Sequence, residues 1–240
     1  MAAAAAKPQK KISAAPIDEN LGFGQVKVRS DSSRLYSTLY SGERDWLLSE
    51  HVTQQGSALI PGTGFLEIIR ACVSEFFDLN SRTHCLQLND VQFLSPFEVP
   101  RAGQRCLNVL VEGSKGQCSV SLFSETEDIP HVTCSVGIID RPAEKVVALH
   151  EIESRCSKDI ETNAGFLIQS FMDFGPRWGC IRSISYGQGE AIVGISLPEP
   201  YVDDINKYKI HPAALDKATG AVQSLIDGFS ATEDFYVPVG

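Results

Sequence analysis

One histidine and one aspartate stand at positions from which their side chains could transfer protons. His51 lies ten residues before Pro61 in the segment Asp45–Phe77, which reads DWLLSEHVTQQGSALIPGTGFLEIIRACVSEFF. Asp216 lies in HPAALDKATGAVQSLIDGF, beside Leu215 on the apolar stripe of a predicted helix. An ionised carboxylate there must be paired or have its pKa raised, and a raised pKa makes a general acid. Histidine is a base near neutral pH, so the two groups could flank one bond of a substrate.

A long buried helix is predicted after the histidine. Apolar residues recur three and four positions apart over residues 65–77, and Pro61 with Gly62 provides the helix start. We expect Thr63 to cap this helix through its hydroxyl. The free amides of the first turn would then point towards His51 and could hold a thioester or carboxyl oxygen. The pattern indicates a base beside an oxyanion site.

Structural roles remain open for the same residues. A single histidine near a helix start is more often a cap or a satisfied core residue than a catalyst. Asp216 could simply be a favourable negative charge in a first helical turn, and His211 also has a structural interpretation. We expect the three other histidines to lie in loops or on strand faces: His84, His131 and His150. No residue that could act with them in catalysis lies at a suitable spacing in the sequence.

The rest of the first half predicts antiparallel strands. VKV and SRLYSTLYS precede the histidine segment, and VQFLSPFEVP, RCLNVLVEG, QCSVSLFSE and HVTCSVGIID follow the helix, separated by Gly, Pro or charged turns. In the last two segments every second residue is apolar, so one face of the sheet can pack on a helix. A long helix wrapped by a curved antiparallel sheet is the hot-dog arrangement.

The second half repeats this order of elements. A helix is predicted over Asn163–Phe174, ending at the Gly-Pro pair that follows it. Strands are predicted in CIRSISYG and EAIVGISLP, with a tight turn around Gln188. A second buried helix is predicted to begin at Pro212. If the two buried helices lie side by side, the histidine and the aspartate could meet across one substrate tunnel.

Composition indicates one soluble protein built from two similar halves. We expect residues 1–17 to be a disordered leader, 18–142 one hot-dog and 143–240 a second, with DRPAE at 140–144 as the linker. The second hot-dog is expected to be incomplete, since the chain ends at YVPVG.

Charge and cysteine usage exclude several classes of function. The net charge of -9 without clustered Lys and Arg argues against nucleic-acid binding. No apolar run approaches the roughly 18 residues of a membrane span, and AAAAA is too short for a signal peptide, which predicts a cytoplasmic protein. Seven cysteines without metal-ligand spacing predict small core residues in a reducing compartment, rather than disulfides or a metal site.

The sequence resembles the dehydratase domains of polyketide synthases and of animal-type fatty acid synthases. The motifs are DWLLSEH followed by LIPGTGFLE, then VQFLSPFEVP, FGPRW and HPAALD, and the resemblance runs from about Leu21 to the end. It implies an α+β double hot-dog, in which two antiparallel sheets each wrap around a long central helix. The family block H-x3-G-x4-P assigns the catalytic base to His51, with Gly56 and Pro61 as its Gly and Pro. The catalytic acid falls on Asp216.

The reaction implied by the resemblance is loss of water from a 3-hydroxyacyl thioester on the phosphopantetheine arm of a carrier protein. His51 would remove the proton alpha to the thioester carbonyl, and Asp216 would deliver a proton to the leaving hydroxyl. Amides near Gly56, or of Gly62 and the residues after Pro61, would stabilise the enolate-like oxygen. No metal or other cofactor of the protein is implied. The expected partners are an acyl carrier protein and neighbouring polyketide synthase domains, and a homodimer is left open.

Two departures from the family pattern concern the base and the FGPRW block. One extra residue between His51 and Pro61 predicts either a bulge or a displaced imidazole. In Y-G-P-x-F the family has a tyrosine where this chain has Phe174, and Trp178 ends the block after Pro176. A hydroxyl group is therefore lost from the predicted site.

A third departure follows the acid. The HPAALD block supplies His211 and Pro212, but Gly220 stands where the family has Gln or His four residues after the acid. A side chain that helps to hold the acid and the hydroxyl is therefore missing. Gln223, one turn further on, is expected to replace it only in part.

Three hypotheses remain. The favoured one is a dehydratase, a carbon-oxygen lyase, because both proton-transfer groups are present. The second is an isomerase that shifts double bonds on the same fold, which depends less on an acid. The third is a catalytically weak hot-dog module for carrier docking or dimerisation. An aromatic-cyclase template shares the fold, but PGTGFLE is less similar to its helix start.

Overall fold

The computed structural model describes residues 25–156, 158–160 and 171–229. The strands in these ranges are β1 (Gln25–Arg29), β2 (Ser33–Ser41), β3 (His51–Thr53), β4 (Ser57–Leu59), β5 (His84–Phe93), β6 (Glu98–Pro100), β7 (Gln104–Ser114), β8 (Gln117–Phe123), β9 (Val132–Asp140), β10 (Lys158–Ile160), β11 (Met172–Phe174), β12 (Ile181–Tyr186) and β13 (Ala191–Ile195). The α-helices are α1 (Trp46–Ser49), α2 (Gly62–Phe76), α3 (Leu149–Arg155), α4 (Asp204–Lys207) and α5 (Pro212–Val222). The predicted leader, residues 163–170 of the predicted helix and the final YVPVG lie outside the described residues.

The largest sheet has six antiparallel strands in the order β1-β2-β7-β8-β9-β5. The strands predicted in the first half are confirmed, except that VQFLSPFEVP divides between the end of β5 and the separate strand β6. Alternate residues of β8 and β9 are buried, as their sequence pattern predicts. One face of the sheet therefore belongs to the core.

Helix α2 fills that core. Its buried apolar side chains are Phe65, Ile68, Ile69, Ala71, Cys72, Val73 and Phe76. Burial of each large apolar side chain stabilises the fold by about 1.5–3 kcal/mol. The wide apolar stripe that the sequence shows is thus surrounded on most sides, and the hot-dog arrangement is confirmed for this half.

A four-stranded antiparallel sheet, in the order β11-β3-β4-β6, joins the two halves of the chain. In it Phe174 pairs with His51, and Met172 pairs with Thr53. The predicted helix over 163–174 is therefore wrong at its end, because hydrogen bonding to β3 outweighs the local helical pattern of these residues. This pairing brings the FGPRW block beside the histidine.

A three-stranded sheet, β10-β12-β13, packs against α5. The predicted hairpin is confirmed: the Gly187 N–H donates to Glu190 O at 2.8 Å, and Gly189 adopts a φ of +69° that favours glycine. Helix α5 begins at Pro212, as predicted, and continues after Val222 into a 3-10 turn over Gln223–Leu225.

Two side chains of α2 attach it to the start of α5. The Thr63 hydroxyl donates to Pro212 O at 3.0 Å, so the prediction that it caps α2 is wrong. The buried Glu67 carboxylate accepts from the N–H groups of Lys209 and Ile210 at 3.1 and 2.9 Å. Because these bonds link residues far apart in sequence, they hold the two central helices side by side.

The segment between the halves is exposed. Strand β9 ends at Asp140, and residues 141–148 lie without regular structure before α3 begins. Across the described ranges, no helix has both the length and the apolar character needed to cross a membrane.

The cysteine side chains behave as core residues. All seven are free thiols, and five of them are buried: Cys72, Cys118, Cys134, Cys156 and Cys180. The prediction of small core residues is confirmed for these five.

Candidate active site

The His51 ring lies at the start of β3 in an aromatic environment. Its Nδ1 is 3.0 Å from the carbonyl oxygen of Leu59. Since a carbonyl oxygen can only accept, Nδ1 carries the proton of the neutral ring, and Nε2 keeps the lone pair that a base needs. Trp178 stacks on the ring with 5.5 Å between centroids, and Phe174 contacts it at 5.6 Å.

Its surroundings keep His51 neutral at neutral pH. Burial is the main cause that lowers the pKa of His51, and the charge of Lys217 lowers it further. The Asp216 carboxylate and the bond to Leu59 act in the opposite direction but do not outweigh burial. The ring is therefore ready to accept a proton.

The extra residue between His51 and Pro61 is accommodated in the turn that joins β3 to β4. Gly56 adopts a φ of +88° there, and its N–H donates to Thr53 O at 2.8 Å. The Ser57 N–H donates to the Thr53 hydroxyl at 3.1 Å. The turn, rather than a bulge in the ladder, takes up the extra length. The Gly56 amide is therefore engaged within the turn.

Asp216 lies half-buried on α5, and its carboxylate is paired. The indole Nε1 of Trp178 donates to its Oδ2 at 2.9 Å. Trp178 is only 2% exposed, so this hydrogen bond is shielded from water. The same indole stacks on His51. One side chain therefore contacts both groups that the sequence singled out, although they come from different halves of the chain.

The FGPRW block supplies this contact through its local geometry. Phe174 ends β11, and Pro176 opens a 3-10 turn that runs to Trp178. The residue between them, Gly175, packs so closely on the Glu50 side chain that a Cβ would overlap it. The tyrosine hydroxyl of the family is absent, but the Trp178 indole supplies a donor four residues later.

A lysine that the sequence analysis missed also lies at this site. Lys217 is 8% exposed, and its Nζ lies 3.6 Å from the centroid of the Phe174 ring. Burial lowers the pKa of Lys217, while Asp216 and Cys180 act to raise it. The signal in the sequence was an Asp-Lys pair inside an otherwise apolar helical segment.

An ion-pair network fixes the two segments that carry the histidine and the indole. The Arg177 guanidinium contacts the Glu50 carboxylate and donates through Nε to Asp204 at 2.7 Å. The Arg177 N–H also donates to Glu50 at 2.8 Å. Glu50 directly precedes His51, and Arg177 directly precedes Trp178. The network therefore holds both segments in register.

His211 has the structural role that the sequence left open. Its Nδ1 accepts from the Ala214 N–H at 3.3 Å, which caps α5 just before Pro212. Its ring stacks on Trp46 at 5.6 Å, and Nε2 lies 3.9 Å from Asp204. This residue positions the helix that carries the carboxylate.

The first turn of α2 contains the remaining oxyanion candidates. Pro61 precedes the helix, and its carbonyl accepts from the N–H groups of Gly64 and Phe65 at 2.8 and 3.3 Å. The amides of Gly62 and Thr63 precede these bonds, where a helix provides no acceptor of its own. They are the donors best suited to a developing negative charge.

Gly220 leaves space on α5 one turn after Asp216. A Cβ built at this position meets nothing within 4 Å. Gln223 lies after the helix in the 3-10 turn. The Asp216 carboxylate accepts its hydrogen bond from Trp178 instead.

The other histidines lie away from this cluster. His131 is buried in the first core, 2.6 Å from the Ser124 hydroxyl and 3.0 Å from that of Ser95. His84 begins β5, and His150 is exposed on α3 rather than in a loop or strand.

Two family models match the sequence. One, described as a polyketide synthase dehydratase domain, matches residues 24–125, and one described as a polyketide synthase dehydratase N-terminal domain matches residues 144–240. The chain is 25% identical over 218 residues to the polyketide synthase PksN of Bacillus subtilis (strain 168), which covers 85% of this chain and 4% of PksN. It is 24% identical over 201 residues to the polyketide synthase PksM of the same organism, a match that covers 80% of this chain and 5% of PksM. The chain thus spans a small part of these relatives.

Solved structures share the fold. The dehydratase domain from the CurF module of curacin polyketide synthase matches with a TM-score of 0.80 and 21% identity, over 93% of this chain and 81% of that one. A trans-AT polyketide synthase dehydratase domain from Brevibacillus brevis matches with a TM-score of 0.73 and 17% identity, over 83% and 76%. The fold is therefore the α+β double hot-dog that the resemblance implied.

Proposed function

The chain belongs to the polyketide synthase dehydratase family, and from that premise we propose that it removes water from a 3-hydroxyacyl thioester to give a 2-enoyl thioester. This reaction is that of a carbon-oxygen lyase. The observation that carries the proposal is the contact of Trp178 with both His51 and Asp216. It puts a base and a carboxyl group from different halves beside one another, as a β-elimination requires.

His51 acts as the base. Its Nδ1 is occupied by Leu59 O, so Nε2 is the nitrogen that takes the proton alpha to the thioester carbonyl. Burial keeps the ring neutral, and the stacked Trp178 ring together with the tilted Phe174 ring fixes its plane. A base held in one tautomer and one orientation loses little entropy when it meets the substrate.

Asp216 acts as the acid. Its carboxyl group delivers a proton to the β oxygen as the carbon-oxygen bond breaks, so the leaving group departs as water. The Trp178 N–H stabilises the carboxylate that this step leaves behind. After water leaves, the proton on the His51 imidazolium returns to Asp216, and the site is restored without a net change in protons.

The first turn of α2 stabilises the enolate-like oxygen. The amides of Gly62 and Thr63 are fixed by the helix before substrate binds, so they need no reorganisation as charge develops. Thr63 is additionally held by its hydrogen bond to Pro212 O. That bond couples the oxyanion donors to the helix that carries the acid.

Inactive variants of a related dehydratase support this division of roles. A CurK dehydratase with a histidine-to-phenylalanine change is described as inactive, and so is one with an aspartate-to-asparagine change. Their structures match this chain with TM-scores of 0.75 and 0.79, at 21% and 22% identity. The transfer of these roles to His51 and Asp216 is part of our proposal.

The proposed substrate is attached to the phosphopantetheine arm of an acyl carrier protein. The relatives are polyketide synthases many times longer than this chain. Their length supports the proposal that this chain acts beside other polyketide synthase domains. A homodimer is part of the same proposal. No cofactor of the protein itself enters these steps.

The test is incubation with a 3-hydroxyacyl carrier protein and, separately, with its 2-enoyl counterpart. Intact mass and ultraviolet absorbance follow both reactions. Loss of the mass of one water molecule from the hydroxyacyl species is the expected result. A diene spectrum without a mass change would instead indicate double-bond migration, and no change in either sample would indicate a docking module.

A further inference from the structure

Lys217 is a buried cation that the reaction described above does not use. Lysine is rarely buried to this degree unless its charge is paired, because removal of an ammonium group from water is costly. Here the side chain is 8% exposed and lies against the site rather than in a remote core. Its position therefore suggests a role in the chemistry.

The Phe174 ring connects Lys217 to the base. Its centroid is 3.6 Å from the Lys217 Nζ and 5.6 Å from the centroid of the His51 ring. The β3–β11 pairing places Phe174 directly opposite His51, so this arrangement is fixed by the backbone. Ammonium and imidazole therefore lie close enough for their charges to interact through a poorly hydrated region.

We propose that Lys217 is a positioning residue that keeps His51 in its neutral, proton-accepting form. This inference rests on the proposed function. Dehydration starts from a neutral imidazole and a protonated Asp216, whereas the ionised form of Asp216 favours an imidazolium that cannot accept a proton. The nearby ammonium of Lys217 disfavours that imidazolium. In the described part of the chain, the charges that act on His51 are those of Lys217 and Asp216. The facing rings of Phe174 and Trp178 are uncharged.

The size of the effect follows from the geometry. The two ring distances bound the separation of Nζ and the imidazole at about 9 Å, where a unit charge shifts the pKa of a neighbour by roughly one unit at an effective dielectric constant of about 20. Removal of the Lys217 charge should therefore raise the pKa of His51 by that amount.

An NMR titration measures this shift without any turnover. The 13Cε1 signals of labelled histidines are followed against pH in the wild type, Lys217→Met and Lys217→Arg, and His51→Asn assigns the signal. We expect the His51 midpoint to rise by roughly one unit in Lys217→Met and to stay near the wild-type value in Lys217→Arg. Lys207→Met, at an exposed position on α4, is the matched control and should leave the midpoint unchanged.

An unchanged His51 midpoint in a folded Lys217→Met protein overturns the proposal, and Lys217→Gln provides a second neutral variant if the first does not fold. In the dehydration assay, the acid limb of kcat/KM should move to higher pH with the NMR midpoint. Failure of the wild type to dehydrate any hydroxyacyl substrate would refute the proposed function, and the titration would still decide the role of Lys217. Normal turnover with an unmoved midpoint would refute only the role of Lys217.

Discussion

Removal of the Trp178 indole N–H should lower kcat by one to two orders of magnitude. Trp178→Phe retains an aromatic ring against His51 but removes the 2.9 Å hydrogen bond to Asp216. A buried hydrogen bond to a charged group contributes about 1.5–3 kcal/mol. If that bond orients the acid and stabilises the carboxylate formed in the transition state, its loss lowers kcat by roughly 10- to 150-fold.

Trp46→Phe is the matched control for this change. Trp46 also packs on Trp178, and its indole N–H donates to the Tyr208 hydroxyl at 2.8 Å rather than to the acid. We expect this variant to lower the melting temperature but to keep kcat within about threefold of the wild type, since it removes a scaffold bond of ordinary strength.

The assay is the initial rate of enoyl formation by both variants at saturating hydroxyacyl carrier protein, with folding checked by circular dichroism. Equal losses in the two variants would mean that general packing of the aromatic cluster matters, and not the bond to Asp216. A folded Trp178→Phe protein with an unchanged kcat would refute the reasoning directly.

Three further predictions concern the same scaffold. Gly220→Gln should raise kcat, because the space at this position accepts a side chain that can help to hold the acid. The gain should be larger in the Trp178→Phe background. No gain in either background would show that orientation of the acid does not limit the rate. Glu67→Ala should cost about 1–3 kcal/mol in urea denaturation, since it leaves the half-buried Arg70 guanidinium and the amides of Lys209 and Ile210 without their acceptor. A cost below about 0.5 kcal/mol would contradict this link between the helices. The free energy of unfolding should fall as pH drops below about 6.5, because burial lowers the pKa of His51, His131 and His211 in the folded state. The unfolded state therefore binds more protons as the pH falls. A free energy of unfolding that stays constant between about pH 7 and pH 5 would contradict this prediction.

Local sequence patterns predicted the elements whose stability is local or strongly periodic. The wide stripe of α2 and the proline start of α5 are readable because helical spacing and backbone chemistry act over a few residues. Buried and exposed residues alternate along strands β8 and β9, because successive side chains of a strand point to opposite faces of the sheet. These local patterns were sufficient to predict the two central helices, α2 and α5.

Long-range pairing decided the features that sequence patterns missed. Met172–Phe174 became a strand because β3 offered a hydrogen-bonding edge, although its own pattern continued a helix. The expected cap by Thr63 was replaced by a bond to Pro212, on the neighbouring helix. Partners of this kind are set by the fold as a whole, and so the bond from Trp178 to Asp216 could not be predicted either.

The most direct measurement is the mass of a 3-hydroxyacyl carrier protein after incubation with the wild type, His51→Ala and Asp216→Asn. With the wild type we expect the loss of one water molecule, and with either folded variant we expect the hydroxyacyl mass to persist. Full conversion by either variant would contradict the shared action of the imidazole and the carboxyl group at the Trp178 indole.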